Sequence, residues 1–442
     1  MFKFTTRLFA LVVFLGGASF ALAQDSGPLI DLLIKKGVIN DQEAEELRAE
    51  LTKDFASTSA GKLNLNNSLT ELRIAGDVRI RYESRTGELP TGDHQERDRF
   101  RYRFRTGLTG KMLNNWSWGF RFETSTGSRS SNVTMGDDAG PFAKNSDTVN
   151  IGQIWAKWEP TPEFSLTLGR MPNPLVSTLM VWDADINPEG IAEKFTRRSG
   201  KSEFSLTAAQ FLYSAASTQN AFGAASATNP LKDLLLLAWQ GGYKHYLEGT
   251  ATFFQINPTL YTYVRNSTQN PAAFRGNFSA SNSALVNNLT VIDVPVEYNW
   301  LINGVPARLF GDFAINLDGK DRATKFGRPD LDGENKAWQV GFQYGRATNT
   351  GEWDSRLYYM STGAFALDPN LVDSDLWDSR TNMKGLVFNA NYRLGAATQL
   401  SLTLAHGSRA DDTLIAPGAG DIGSNNLLNK YGIMQLDLVI SY

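Results

Sequence analysis

Arginine occupies every second position in the run RDRFRYRFR, which covers residues 97–105. Because a β-strand points successive side chains to opposite faces, the guanidinium groups share one face and Phe100, Tyr102 and Phe104 share the other. An arginine that faces lipid at the bilayer midplane costs about 2–4 kcal/mol, and an unpaired charge in a dry core costs more. The run therefore predicts a strand with lipid behind it and water in front of it, as in the wall of a pore.

Residues 1–23 have the pattern of a secretory signal peptide. Lys3 and Arg7 flank the start of an apolar run at residues 8–15, and Ala21-Leu22-Ala23 supplies a small-residue cleavage site. We expect export from the cytoplasm and loss of this segment. The formal net charge is −3 for the whole chain and −5 once Lys3 and Arg7 are removed, so the arginine row lies in an acidic protein. That balance argues against nucleic acid as a partner.

The composition excludes several kinds of site. The chain contains no cysteine, which excludes disulfides, thiolate metal sites and cysteine nucleophiles. Beyond residue 23, no apolar stretch approaches the roughly 20 residues that a membrane-spanning helix needs. A mature chain that crosses a membrane must therefore do so as a β-barrel. No motif implies a cofactor or a metal ion, and we expect neither.

Residues 24–69 carry a helical pattern followed by a polar linker. Leucines at helical spacing from residue 29 end at Gly37, and Asn40 with Glu43 three residues later forms a capping-box pattern. We predict two short helices joined at residues 37–39, in a periplasmic segment. Two hypotheses stay open for them: a plug or spacer, and a helix pair that associates between subunits.

From residue 72 onward, apolar and polar residues alternate with period two, which predicts strands in a domain spanning residues 70–442. The connections alternate between three to five residues and 14 to 31 residues, as in outer-membrane barrels. An eighteen-strand count, with one more hairpin within residues 258–288, is the alternative. The sixteen predicted strands cover residues 72–83, 98–110, 116–126, 149–159, 164–171, 189–198, 203–213, 233–244, 249–257, 289–300, 305–316, 337–346, 352–362, 383–394, 398–408 and 431–442.

Aromatic residues give a second indication of a membrane barrel, because Trp and Tyr favour the membrane interface. Eight aromatics lie near predicted short turns: Trp116, Trp118, Trp158, Phe164, Trp300, Tyr344, Trp353 and Tyr392. The last strand is predicted to place Met434, Leu436, Leu438 and Ile440 on one face and polar residues on the other.

Five stretches together resemble the bacterial putative porin family and, more loosely, the sixteen-stranded general porins. They are residues 29–37, 79–82 with the arginine row, 168–174, 181–190 and the terminal strand. The resemblance implies a transmembrane barrel in the bacterial outer-membrane bilayer, with a bore through which small hydrophilic solutes and ions diffuse. A homotrimer is implied only by analogy with the general porins.

In the general porins, the loop after strand five folds inward and sets acidic groups against arginines. The resemblance assigns that loop to residues 172–188 and gives it Asp183 and Asp185, with Glu189 at its end. By this resemblance the loop would face Arg79, Arg81, Arg99, Arg101, Arg103 and Arg105. We predict that these six arginines, and Arg121, line the pore. Two interpretations of the row stay open. It either selects ions, or it is neutralised by Asp77, Glu83 and Glu123 and only stiffens the wall.

Other functions stay open as alternatives. One is an anion-selective channel of the phosphate type, and another is an occluded barrel that acts as a receptor or a structural protein. An enzyme is not expected, because the chain has three histidines, His94, His245 and His406, with no evident partner nearby in sequence and no Gly-x-Ser-x-Gly elbow.

Overall fold

The structure is a computed structural model that describes residues 27–57, 66–125, 130–136, 148–214, 233–264, 289–414, 422 and 428–442. The chain divides between Asn66 and Asn67 into a helical unit and a unit built of strands, and each is described by itself. The predicted signal peptide, residues 1–23, lies outside the described residues.

The helical unit contains α1 (Gly27–Lys35) and α2 (Asp41–Ser57). The capping box forms as predicted: the Glu43 backbone N–H donates to Asn40 Oδ1 at 2.8 Å, and the Asn40 N–H donates to Glu43 Oε2 at 2.9 Å. Gly37, with φ of +67°, lies in the connection, where a left-handed residue is needed. Neither of these helices, nor α3 described below, combines the length and apolarity required to cross a bilayer.

The second unit is a closed barrel of sixteen antiparallel strands, as predicted. Three strands are interrupted and continue after a short break. The strands are β1 (Leu69–Glu88), β2 (His94–Met112), β3 (Trp116–Ser125, continued by Val133–Thr134), β4 (Thr148–Thr161), β5 (Phe164–Arg170), β6 (Glu189–Ser199), β7 (Ser202–Ser214), β8 (Leu234–Glu248), β9 (Thr252–Ile256 and Thr259–Val264), β10 (Thr290–Asp293 and Val296–Ile302), β11 (Val305–Asn316), β12 (Lys336–Gly345), β13 (Trp353–Thr362), β14 (Met383–Arg393), β15 (Thr398–Arg409) and β16 (Lys430–Ser441).

Closure depends on the pairing of the first strand with the last. β1 is antiparallel to β16 from Asp77, opposite Ser441, to Glu88, opposite Lys430. Every strand therefore has a hydrogen-bonded neighbour on both sides, which satisfies the backbone groups that a bilayer cannot. A short helix, α3 (Gly319–Phe326), lies in the connection between β11 and β12.

The structure corrects two predicted boundaries. The first connection was predicted at residues 84–97, but β1 and β2 are 20 and 19 residues long and leave only residues 89–93 between them. The ninth strand was predicted to end at residue 257, immediately before Pro258. It resumes at Thr259 and pairs with β8 as far as Val264, opposite Leu235.

The outer face of the barrel is apolar and the inner face is polar, and β16 shows the alternation. Its outward residues Met434, Leu436, Leu438 and Ile440 are exposed, as the sequence predicted. The alternate residues point inward, where Gln435 and Asp437 are only 4% and 8% exposed. Exposed aromatics stack at the end with the short turns, where the Trp116 and Trp158 ring centroids are 5.9 Å apart.

Two connections fold into the barrel, and we call them the first inward loop (residues 171–188) and the second inward loop (residues 363–382). Their apolar side chains pack with inward residues of many strands in one buried cluster. In the first loop, the Val176 N–H donates to Gln240 Oε1 of β8 at 2.9 Å. The two loops also bond to each other, since the Asp183 N–H donates to Leu371 O at 2.6 Å. The interior is therefore packed where the two inward loops cross the barrel.

The alternation of faces yields a prediction for two adjacent residues of β15. Leu402 lies opposite Leu436 on the outer face, and Ser401 lies opposite Asp437 on the inner face. We expect Leu402→Arg to lower the free energy of unfolding by about 2–4 kcal/mol, since the guanidinium would enter lipid. Ser401→Arg, the matched control, should cost less than about 1 kcal/mol because the new side chain stays on the polar inner face. Urea unfolding in lipid vesicles measures both, and equal losses would contradict the assignment of faces.

Candidate functional site

Seven of the arginines on the inward faces of β1 and β2 form what we call the arginine cluster: Arg79, Arg81, Arg85, Arg99, Arg101, Arg103 and Arg105. The register sets Arg79 opposite Arg103 and Arg81 opposite Arg101. The sequence predicted that water solvates this row. In the structure, all of these side chains except Arg105 are buried, with exposures between 1% and 9%. The charges are instead compensated by carboxylates from three sources.

The first source is Glu83, which lies on β1 among the arginines and is fully buried. Its Oε1 accepts hydrogen bonds from Nε of Arg85 at 2.8 Å and from Nε of Arg99 at 2.7 Å. Its Oε2 lies 3.5 Å from Arg101 Nη1 and 3.6 Å from Arg81 Nη1. One carboxylate is thus shared by four guanidiniums, which are held within one small volume despite their like charge.

The second source is two aspartates on adjacent strands, Asp77 of β1 and Asp437 of β16. Asp437 of β16 binds Arg81 through two parallel hydrogen bonds, of 2.6 and 2.8 Å. Bidentate bonds of this kind are the strong form of an arginine–carboxylate contact. Asp77 of β1 accepts from Nε of Arg103 at 2.9 Å and from Nε of Arg105 at 2.7 Å.

The third source is the second inward loop. Arg81 Nη1 donates to Asp375 at 2.6 Å, and Arg85 bonds to Asp378. Asp378 also accepts from Arg380 at 2.9 Å. The backbone here is strained, because Trp377, Asp378 and Ser379 have φ of +52°, +53° and +60°. A left-handed non-glycine residue costs about 1–2 kcal/mol, so the arginine bonds hold a conformation that the chain would not adopt alone.

Of the three acidic residues predicted to face the arginine row, one lies near an arginine of the row and two have partners elsewhere. Asp185 lies 3.8 Å from Arg105. Asp183 accepts hydrogen bonds from the backbone and the hydroxyl of Ser374, at 3.0 and 2.8 Å, and so joins the two inward loops. Glu189 accepts from Arg170 Nε at 2.6 Å.

Two other predicted residues form a pair of their own, since Arg121 lies 2.7 Å from Glu123 within β3. Sequence reasoning missed Asp375 and Asp378. The run DSDLWDSR at residues 373–380, with three acids around one tryptophan, was the signal that could have indicated them.

Two aspartates of the second inward loop have opposite pKa shifts. Burial raises the pKa of Asp373 well above its usual range, and nearby Asp183 and Asp375 add to that effect. Burial also opposes ionisation of Asp375, but the neighbouring guanidiniums, Arg81 first among them, hold its pKa below the usual range. The fold therefore favours a charged Asp375 and an uncharged Asp373.

A closed barrel with an apolar outer face and charged, inward-folded loops defines a transmembrane β-barrel protein. Residues 83–277 match the putative porin family. The barrel and this match indicate a porin-like channel protein of the bacterial outer membrane.

Similar solved structures include OprB of Pseudomonas putida, with 9% identity, a TM-score of 0.47, and coverage of 84% of this chain and 94% of that chain. A triple mutant of the Rhodopseudomonas blastica porin has 8% identity and a TM-score of 0.41, and covers 84% of this chain and 100% of its own. No curated protein matches the chain.

The shared role of Glu83 yields a stability prediction. Glu83→Gln should lower the free energy of unfolding by about 3–5 kcal/mol, because it leaves buried guanidiniums without their counter-charge. Glu123→Gln is the control, since the one ion pair of Glu123 among the described residues is with Arg121. Urea unfolding followed by tryptophan fluorescence compares the two variants. Equal small losses would show that the cluster does not depend on Glu83.

The opposite pKa shifts of Asp375 and Asp373 predict opposite effects of their substitution on the free energy of unfolding. A lowered pKa means that Asp375 stabilises the fold above its ordinary pKa near 3.8 and loses this contribution as the pH falls. A raised pKa means that Asp373 must stay protonated in the folded protein, which lowers the free energy of unfolding as the pH rises above its ordinary pKa. At pH 7 we expect Asp375→Asn to cost about 1–3 kcal/mol and Asp373→Asn to be neutral or stabilising. Below pH 3 the two variants should converge toward the parent, and urea midpoints across pH measure this.

Proposed function

We propose that the protein forms an outer-membrane channel through which small hydrophilic solutes and ions diffuse passively, with a preference for anions. The observation that carries the proposal is the closed barrel whose interior is charged while its outer face is apolar. Buried charges are costly, and a polar interior behind an apolar outer face is typical of barrels that enclose a hydrated bore. The homotrimer stays a prediction, which the mass of the detergent complex would test.

The arginine cluster has two roles in this proposal. Its bonds to Asp375 and Asp378 anchor the second inward loop across the lumen. Among the residues that the structure describes, the cluster and Arg380 bring eight arginines together with six carboxylates, an excess of two positive charges. The carboxylates are those of Asp77, Glu83, Asp185, Asp375, Asp378 and Asp437. These contacts support the interpretation in which carboxylates neutralise most of the row. The residual charge favours anions in the lumen.

The permeation path is proposed to follow the opposite wall. The cluster side chains are buried beneath the second inward loop, so ions do not pass over them directly. On the side formed by β9 to β13, a cavity remains between the wall and the first inward loop. Solutes that enter the barrel would cross at this side.

An occluded barrel with a receptor or structural role is the second candidate. The observation that favours it is the second inward loop, in which nearly every residue from 363 to 382 is buried. Tyr263 of β9 donates to Asp368 of this loop at 2.5 Å, so the loop is also fixed on the side away from the cluster. A barrel filled in this way would conduct little or nothing.

An enzyme is not proposed, although the structure does provide a partner for one histidine. His245 Nδ1 lies 2.9 Å from Ser202 Oγ and 3.4 Å from Tyr243 Oη, near a short turn. A serine–histidine pair needs a carboxylate to orient the imidazole. Among the described contacts of His245 there is none.

Conductance separates the two candidates. The full-length protein, purified without denaturant and inserted in a planar lipid bilayer, should give discrete steps in KCl, since a hydrated lumen carries ions. Under a tenfold KCl gradient, the reversal potential should indicate a preference for chloride over potassium. Protein that inserts without conducting would support the occluded barrel. A cation preference would contradict the proposed role of the arginine excess.

A further inference from the structure

A cavity of about 360 Å³ lies between the first inward loop and the inner wall of β9 to β13. The loop contributes residues from Asn173 to Ala184, and the wall contributes inward side chains such as Arg308, Phe310, Arg356 and Tyr358. Sites for small molecules measure about 300–1,000 Å³, so this cavity lies at the small end of that range. It is lined by other residues than those of the arginine cluster, which occupies the faces of β1 and β2.

The lining carries more positive than negative charge. Arg308 and Arg356 are its two cations, and Glu297 is the one carboxylate among the lining residues. Arg308 Nη1 lies 3.3 Å from Glu297 Oε2, so that charge is balanced. Arg356 donates from Nε and Nη2 to the neutral amide oxygen of Asn389, at 3.2 and 2.9 Å. No ion pair among the described residues involves Arg356, so the guanidinium offers its charge to the cavity.

Aromatic rings hold both guanidiniums in place. The Arg308 guanidinium lies 4.9 Å from the centroid of the Phe310 ring, and that of Arg356 lies 5.2 Å from the Tyr358 ring. The two rings meet edge to face with centroids 6.0 Å apart. Such contacts fix an arginine without neutralising it, so the donor groups are preorganised for an incoming ligand.

The opposite wall of the cavity is largely apolar, although Asn173, Ser177 and Thr178 also lie in it. The first inward loop presents Leu175, Val176, Leu179 and Trp182 to it. A bare inorganic anion would use the guanidiniums but not this wall, and a neutral sugar would leave the charge of Arg356 uncompensated. The ligand that uses both features has one anionic group and one compact apolar group.

From this combination we infer that the cavity is a binding site for small organic anions, namely monocarboxylates with a compact apolar group. The carboxylate accepts hydrogen bonds from Arg356 and Arg308, and the apolar group lies against Trp182 and the leucines of the first inward loop. The inference rests on the proposed channel, for which it names a class of permeant solute. The site would bind such solutes as they cross the lumen. Conduction requires that this binding be strong enough for the solute to enter and weak enough for it to leave.

Equilibrium binding tests the site without any need for conduction. Benzoate should bind the detergent-solubilised full chain saturably, as measured by calorimetry, and benzyl alcohol, its neutral counterpart of similar shape, should not. Arg356→Gln should weaken benzoate binding by about tenfold, the usual effect of losing a charge-assisted hydrogen bond. Arg346→Gln serves as the matched control, because Arg346 is an exposed residue near a short turn and does not line the cavity.

Acetate and inorganic phosphate separate the contributions of charge and apolar contact. Weaker binding of acetate than of benzoate supports the apolar wall, and equal binding of phosphate and benzoate would overturn the assignment to carboxylates. Benzoate binding that is absent, or unchanged in Arg356→Gln, would also overturn it.

The same protein in a planar bilayer distinguishes this failure from failure of the channel. A conducting protein that does not bind benzoate leaves the channel standing without this site. A protein that binds benzoate with the predicted dependence on Arg356 but does not conduct retains the site as that of an occluded barrel. In a conducting protein, benzoate should reduce chloride current saturably at the binding concentration, and Arg356→Gln should shift that concentration about tenfold upward.

Discussion

The compensation of buried guanidinium charge is the constraint on which the interior of this protein depends. Arginines stay charged, and several of them on two adjacent strands repel each other unless anions lie between them. Glu83 supplies that anion from within β1 and is shared by four guanidiniums. Asp77 and Asp437 extend the compensation to either side along the wall. The carboxylates lie where the charge is densest, so the row can be buried.

The same charge positions the second inward loop. Asp375 and Asp378 reach the arginines from this loop, whose backbone is left-handed at three successive non-glycine residues. Bonds to fixed guanidiniums offset that strain, and the loop in turn excludes water from the cluster. The first inward loop is joined to the second through Asp183 and Ser374, so the two loops are held to each other as well as to the wall.

The lumen consequently has two unlike sides. At the wall of β1, β2 and β16, charge is paired and buried, and Arg81 and Arg85 bond to the second inward loop. On the side of β9 to β13, Arg356 has a neutral partner and a cavity in front of it. A residue type alone does not distinguish these roles, because both sides carry arginine. The difference lies in whether a carboxylate is within reach.

The sequence by itself determined the sixteen strands, which residues of β16 face lipid, and the capping box of α2, because these follow from period-two alternation and from contacts three residues apart. It was misleading at the first connection, where β1 and β2 extend beyond their predicted ends, and at the ninth strand, which resumes after Pro258.

Only the tertiary structure brought the distant partners, Asp437, Asp375 and Asp378, to the arginines. Arg81 and Asp437 are 356 positions apart, and they meet because the barrel closes. Asp375 and Asp378 reach the cluster because a connection folds inward, which no local pattern encodes. Burial of the row followed from those meetings, since a guanidinium leaves water only when distant segments supply its counter-charge.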